Sequence, residues 1–189
     1  FTNAITAWLT LFSMVGYALV YTAYLKRSTP QNIVIGGLAG AMPPLLGWTA
    51  VTGHITGFPL LLVLIIFAWT PPHFWALAIH RKDDYAKANV PMMPVTHGVE
   101  FTRIQVWLYS WLLLAVSLLP LALGVVGGFY ALAAIGLGIR FLQWSYRLLK
   151  GKHIDAAWGT FKFSISYLLY LFLALLLDHY LWPLFIDLF

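Results

Sequence analysis

The stretch HRKDDYAKANVPMMPVTHG, His80 to Gly98, sets the adjacent carboxylates Asp83 and Asp84 among Arg81, Lys82 and Lys87, with Asn89 close behind. Carboxylate and amide oxygens are hard ligands suited to magnesium, and lysine and arginine neutralise phosphate oxygens. Together they make the donor set that a magnesium diphosphate requires. Taken alone, the same residues also fit a solvated connector. Lys26 and Arg27 form a second basic pair, which either binds an anion or snorkels from the end of an apolar run. His73 follows Pro71 and Pro72 inside another apolar run, on the order of 10 Å below the acidic stretch if the run is helical. A histidine at such depth is an interhelical hydrogen-bond donor or a ligand.

The elements that carry these residues are apolar. The chain has 189 residues, 61% hydrophobic and 9% charged, with mean hydropathy +0.83. A spanning helix needs roughly 20 apolar residues, and such runs fall at 4–25, 33–52, 58–79, 104–123, 129–149 and 163–182. None alternates with period two, so helices are expected and not a transmembrane barrel. The fold class is all-α, one polytopic membrane domain over 1–189 with six transmembrane helices. If the spans alternate, Lys26, Arg27, Arg81, Lys82, Lys87, Arg103, Lys150, Lys152 and Lys162 share one side, and the turns at 53–57 and 124–128 carry no Lys or Arg. That asymmetry predicts cytoplasmic basic loops. It also accounts for the net charge of +5 without nucleic acid. Absence of cysteine excludes a disulfide framework, a thiolate nucleophile and a Cys-ligated metal. The opening FTNAITAWLT lacks the basic and small-residue flanks of a signal peptide and reads as a helix already under way, with further helices expected before it.

Four elements in order, YTxxLKR, GAMPPLLGW, PHFWALA and DYxxANVPMMPV, lie within YTAYLKRSTPQNIVIGGLAGAMPPLLGW (Tyr21 to Trp48) and WTPPHFWALAIHRKDDYAKANVPMMPVTHG (Trp69 to Gly98). They resemble the heme-farnesylating branch of the UbiA-type intramembrane prenyltransferases, closely from Asn3 to about Arg103 and beyond that in hydropathy alone. The resemblance implies a nine-helix bundle of which these are helices four to nine. A first acidic motif of the form NxxxD would then lie upstream. It further implies transfer of a farnesyl group from farnesyl diphosphate to a vinyl group of heme b, giving heme O, with Mg2+ as cofactor. Asp84 becomes the metal ligand, with Asp83 and Asn89 in support, and Lys26, Arg27 and Arg81 become diphosphate ligands. The pattern departs from the DxxxD of many relatives, because Lys87 and Ala88 occupy the positions four beyond Asp83 and Asp84. Adjacent acids diverge by about 100° on a helix, so one of the pair is expected to enter the site.

His73, within PHFWALA, is the expected heme contact. Tyr17, Tyr21 and Tyr24 recur at helical spacing along the first run, and Arg140, Gln143 and Arg147 share a face of the fifth. Arg140 either snorkels or meets a heme propionate or the diphosphate. A bacterial inner membrane is the implied location, or the mitochondrial inner membrane in a eukaryote. Heme A synthase and terminal oxidase assembly factors are the implied partners beside the membrane lipid. Three alternatives stay open: a relative acting on an aromatic or quinone acceptor, a transporter with Pro-interrupted helices, and a non-catalytic assembly subunit.

Overall fold

The computed structural model describes residues 2–151 and 155–186, without the side chains of Arg27 and of residues 183–186. The sequence-predicted position Lys152 lies outside the described residues. All regular structure among the described residues is helical. α1 (Ala4–Val15) continues directly into a π-helical segment, Gly16–Leu25, and a single turn, α2 (Lys26–Ser28). α3 (Asn32–Ala41) and α4 (Pro43–Thr52) follow, then α5 (Gly57–His80), the short α6 (Lys82–Lys87) and α7 (Met93–Thr96), α8 (Gly98–Ala122), α9 (Gly128–Lys150) and α10 (Asp155–Ile186).

Among the described residues, five stretches are long and apolar enough to cross a membrane: Ala4–Leu25, Asn32–Thr52, Gly57–His80, Gly98–Ala122 and Asp155–Trp182. The chain is an integral membrane protein. The remaining predicted span, 129–149, forms the 23-residue α9, roughly 34 Å long. It falls outside that set and carries Arg140, Gln143, Arg147 and Lys150 in its second half.

α5 is the axis of the bundle, packing on α8 and α10 on one side and on α3 and α4 on the other, while α9 closes against α8 and α10. Ile65, Ala68, Leu113, Tyr130, Phe141 and Tyr167 form the core where these helices meet. Two hydroxyls within it are satisfied through α8: Tyr130 donates to the Ser117 carbonyl at 2.9 Å, and Tyr167 lies 2.8 Å from Ser117 Oγ. At one end Trp75, Ile79, Val106, Leu148 and Ala157 make a second cluster. The end of α5, the start of α8, the end of α9 and the start of α10 are therefore together. Arg81, Arg103, Lys150 and Lys162 gather there.

Three expectations change in detail. The second predicted span breaks at Met42, because Pro43 and Pro44 have no N–H to continue the ladder and instead occupy the first turn of α4. α5, by contrast, runs unbroken through Pro71 and Pro72, both buried in its interior. α8 and α10, which start at the basic end of the bundle, begin several residues before their apolar runs, at Gly98 and Asp155. Packing extends them beyond what hydropathy marks, since Ala157 is fully buried and Trp158 stacks on His80 at 5.0 Å.

At the opposite end α10 reaches back to α9. Asp178 is 4% exposed, and its two carboxylate oxygens accept from the backbone N–H groups of Gly127 (2.5 Å) and Tyr130 (3.0 Å). The first N–H groups of any helix have no partner within it, so an acid borrowed from a neighbouring helix satisfies the start of α9. An acid near the end of an apolar run was the available sequence signal.

Candidate active site

The acidic stretch folds into α6, whose first turn carries Asp83 and Asp84. Both carboxylates are exposed. Arg81 makes the corner between α5 and α6: its N–H bonds Leu77 at 2.9 Å and its carbonyl accepts from Tyr85 at 3.2 Å. Tyr85 turns inward and packs on the cluster of Ile33, Ala78 and Met92, which fastens α6 over the start of α3. Burial pushes the Tyr85 phenol above its usual pKa; the neighbouring Arg81 opposes the rise and Asp84 adds to it. It stays a neutral donor at ordinary pH.

Asn89 ends α6. Its φ of 52° is left-handed, its N–H bonds Ala86 and the N–H of Val90 bonds Tyr85, both at 3.1 Å. This is a Schellman stop with asparagine in the position glycine usually takes. The backbone therefore explains Asn89 without a ligand role. Asn89→Gly should keep both the loop and activity, whereas Asn89→Ala should cost about 1 kcal/mol in the left-handed region. Activity assays with thermal melts check this; a dead, well-folded Asn89→Gly variant would return the side chain to the site.

Lys26 lies on the same rim. Its carbonyl accepts from Asn32 Nδ2 at 3.2 Å, and Asn32 precedes Ile33, on which Tyr85 packs. Asn32 is 1% exposed and its Oδ1 has no partner, so the rim holds an unmet acceptor, which a cation or a donor would satisfy. Arg27 belongs to the same turn, its side chain outside the described residues.

Below the rim, an apolar cavity of about 290 Å³ opens between the π-helical segment, α3 and α5, lined among others by Tyr17, Tyr21, Ile33, Trp69, Thr70 and Phe74. A second, of about 300 Å³, shares Tyr21 and Gly36 with it and continues along α1. Glycines make room here: a Cβ on Gly36 would run into the Tyr21 ring, and one on Gly37 would meet Thr70 at 2.8 Å. The predicted tyrosine stripe divides. Tyr17, itself 52% exposed, stacks on Tyr21 at 5.3 Å and lines the cavity with it, whereas Tyr24 is 69% exposed and does not line it. A π-helix closes its bonds over five residues, so a side chain seven positions on no longer returns to the same face.

His73 is 8% exposed, and its ring lies between Trp69 (4.1 Å) and Phe161 (4.7 Å). Its Nδ1 is 2.6 Å from Ser164 Oγ. The stack continues from Phe161 through Trp158 to His80. His73 thus packs against α10, while its neighbours Trp69, Thr70 and Phe74 face the cavity. Trp69 binds α10 as well, donating to the Ser164 carbonyl at 2.8 Å. No sequence pattern linked Ser164, 91 residues away, to His73.

Arg140 does not join these groups. It is exposed, donates to Gln143 at 2.9 Å and lies over Trp144, which Arg147 also approaches. Helical spacing correctly put Arg140, Gln143 and Arg147 on one face, but that face turns away from the cavity.

Among the described residues no three His, Cys, Asp or Glu side chains converge. Magnesium does not demand such a group, since it commonly binds one or two carboxylates with substrate phosphates and water. Exposed Asp84 and Asp83 above the cavity are compatible with that chemistry.

A family model described as the UbiA prenyltransferase family matches residues 1–176. The chain is 67% identical over 181 residues to protoheme IX farnesyltransferase 1 of Pseudomonas putida (strain GB-1), covering 96% of this chain and 61% of that protein. It is 66% identical over 178 residues to the protoheme IX farnesyltransferase of Marinobacter nauticus, covering 94% of this chain and 59% of that protein. The chain therefore spans about three fifths of the length of these curated relatives. No solved structure matches. Taken with an all-helical bundle whose acidic rim overlies an apolar cavity, the match over nearly the whole chain leads to one conclusion: the chain belongs to the UbiA prenyltransferase family.

Proposed function

We propose that the protein transfers a farnesyl group from farnesyl diphosphate to a vinyl group of heme b, giving heme O and diphosphate. The observation that carries this reading is the apolar cavity directly beneath a rim bearing Asp84, Asp83, Arg81 and Lys26. The names of its relatives, protoheme IX farnesyltransferases, supply the substrates. Asp84 would hold Mg2+, with Asp83 beside it, and the ion would neutralise the departing diphosphate. Lys26, Arg27 and Arg81 would bind the remaining phosphate oxygens. The carbon–oxygen bond of farnesyl diphosphate breaks, and the faces of Tyr17 and Tyr21 shield the allylic cation. A vinyl carbon of heme b then attacks, and water captures the resulting cation as a hydroxyl with loss of a proton. Apolar walls keep water from the allylic cation until that attack.

Incubation of the complete gene product in membranes with heme b, farnesyl diphosphate and Mg2+ tests the reading. Mass analysis should find heme O, and unchanged heme b would refute it. A farnesylated quinone or aromatic acceptor in its place would favour the alternative acceptor class.

Six spans and a cytoplasmic rim complete the proposal, in a bacterial inner membrane or its mitochondrial counterpart. Heme A synthase or oxidase assembly factors would receive the product. Cysteines introduced at Gly53 and at Gly151 should label from opposite sides, Gly151 from the cytoplasm. Labelling of both from one side would rule out six alternating spans.

A further inference from the structure

The proton pattern at His73 can be read from its partner. Ser164 Oγ lies 2.6 Å from the Phe161 carbonyl and 2.6 Å from His73 Nδ1. A hydroxyl has one proton, and a carbonyl oxygen can only accept. If that proton pointed at His73, the Ser164 and Phe161 oxygens would face each other at 2.6 Å with no hydrogen between them. Ser164 therefore donates to Phe161 and accepts from His73. In a neutral imidazole with its proton on Nδ1, the other nitrogen carries a lone pair.

That nitrogen, Nε2, has no hydrogen-bond partner among the described residues, and it is not among the fully buried unpartnered atoms. The 8% of His73 that remains exposed thus includes Nε2. Trp69 on one face and Phe161 on the other prevent the ring from turning over, and Trp69 also holds the Ser164 carbonyl. The neighbours Trp69 and Phe74 line the cavity under the acidic rim.

We infer that Ser164 is a positioning residue: it holds His73 as the Nδ1–H tautomer and leaves Nε2 open as an acceptor or ligand nitrogen. Use of Nε2 toward porphyrin iron rests on the function proposed above; the tautomer does not. Partners of this kind orient metal-binding histidines, and their loss weakens binding by about 10- to 100-fold.

The test uses the complete protein in lipid nanodiscs, labelled with 15N-histidine and free of porphyrin, with His73→Asn to assign the resonances. Nδ1 of His73 should resonate in the protonated range and Nε2 in the unprotonated range. Ser164→Ala should replace this by a mixture of tautomers, and Ser164→Thr should restore it. Ferric protoporphyrin IX added to the same samples should bind about tenfold more weakly or worse to Ser164→Ala, with a shifted Soret band, and normally to Ser164→Thr. A proton on Nε2 in the unaltered protein, or a tautomer indifferent to Ser164→Ala, overturns the inference. A Ser164-dependent tautomer with a porphyrin spectrum indifferent to His73→Asn upholds the positioning role and removes His73 from heme binding.

Discussion

Asp84→Ala is expected to lower farnesyl transfer at least about 100-fold, equivalent to about 2.7 kcal/mol of transition-state stabilisation, while the protein inserts and folds normally. The carboxylate is exposed in the first turn of α6 and makes no hydrogen bond or ion pair among the described residues. Replacing such a surface group changes stability by about 0.5 kcal/mol or less. All of the loss should therefore appear in turnover. Asp83→Ala should cost less, because adjacent positions on α6 diverge by about 100° and one of the two faces the rim. Heme O formation measured with the thermal midpoint of each variant decides the matter. Near-normal turnover in Asp84→Ala would make α6 a solvated connector.

The largest effect on stability is expected at the other end of the bundle. Asp178→Ala leaves the N–H groups of Gly127 and Tyr130 without their partner in a buried setting. Each orphaned donor costs about 1–3 kcal/mol, so the variant should lose roughly 3 kcal/mol and fray the start of α9. Asp178→Asn retains one acceptor and should lose about half as much. Thermal unfolding in detergent, with hydrogen exchange at residues 127–131, measures both. Turnover per folded molecule should be unaffected, because the contact lies at the opposite end from the acidic rim. An unchanged melting point would mean that water replaces the carboxylate.

The two variants separate what each feature revealed in advance. Asp83 and Asp84 attract notice because acids contribute little to topology, so positive-inside bias explains their basic neighbours and leaves them over. Asp178 is equally visible as an acid in an apolar run, yet its partners are backbone groups 48 and 51 residues away. Arg140 shows the converse: its grouping with Gln143 and Arg147 was legible, because helical period is local, but the direction of that face depended on where α8 and α10 packed. Asn89 looked like a ligand because asparagine carries oxygen. Its left-handed backbone gives it another reason to be there.

The sequence by itself determined the all-helical class, the apolar segments, the gathering of basic residues between alternate segments, and the motifs that resemble a prenyltransferase. These follow from composition, period and order along the chain, since a membrane core accepts only apolar segments that bond their own backbone groups. Tertiary structure alone decided which face each helix turns inward. It stacked His73 between Trp69 and Phe161, set its Nδ1 against Ser164, and joined Asp178 to the start of α9. The reason is that each of these outcomes is set by surfaces brought together from distant parts of the chain, and hydrogen-bond satisfaction in an apolar medium then selects among arrangements that local sequence leaves equivalent.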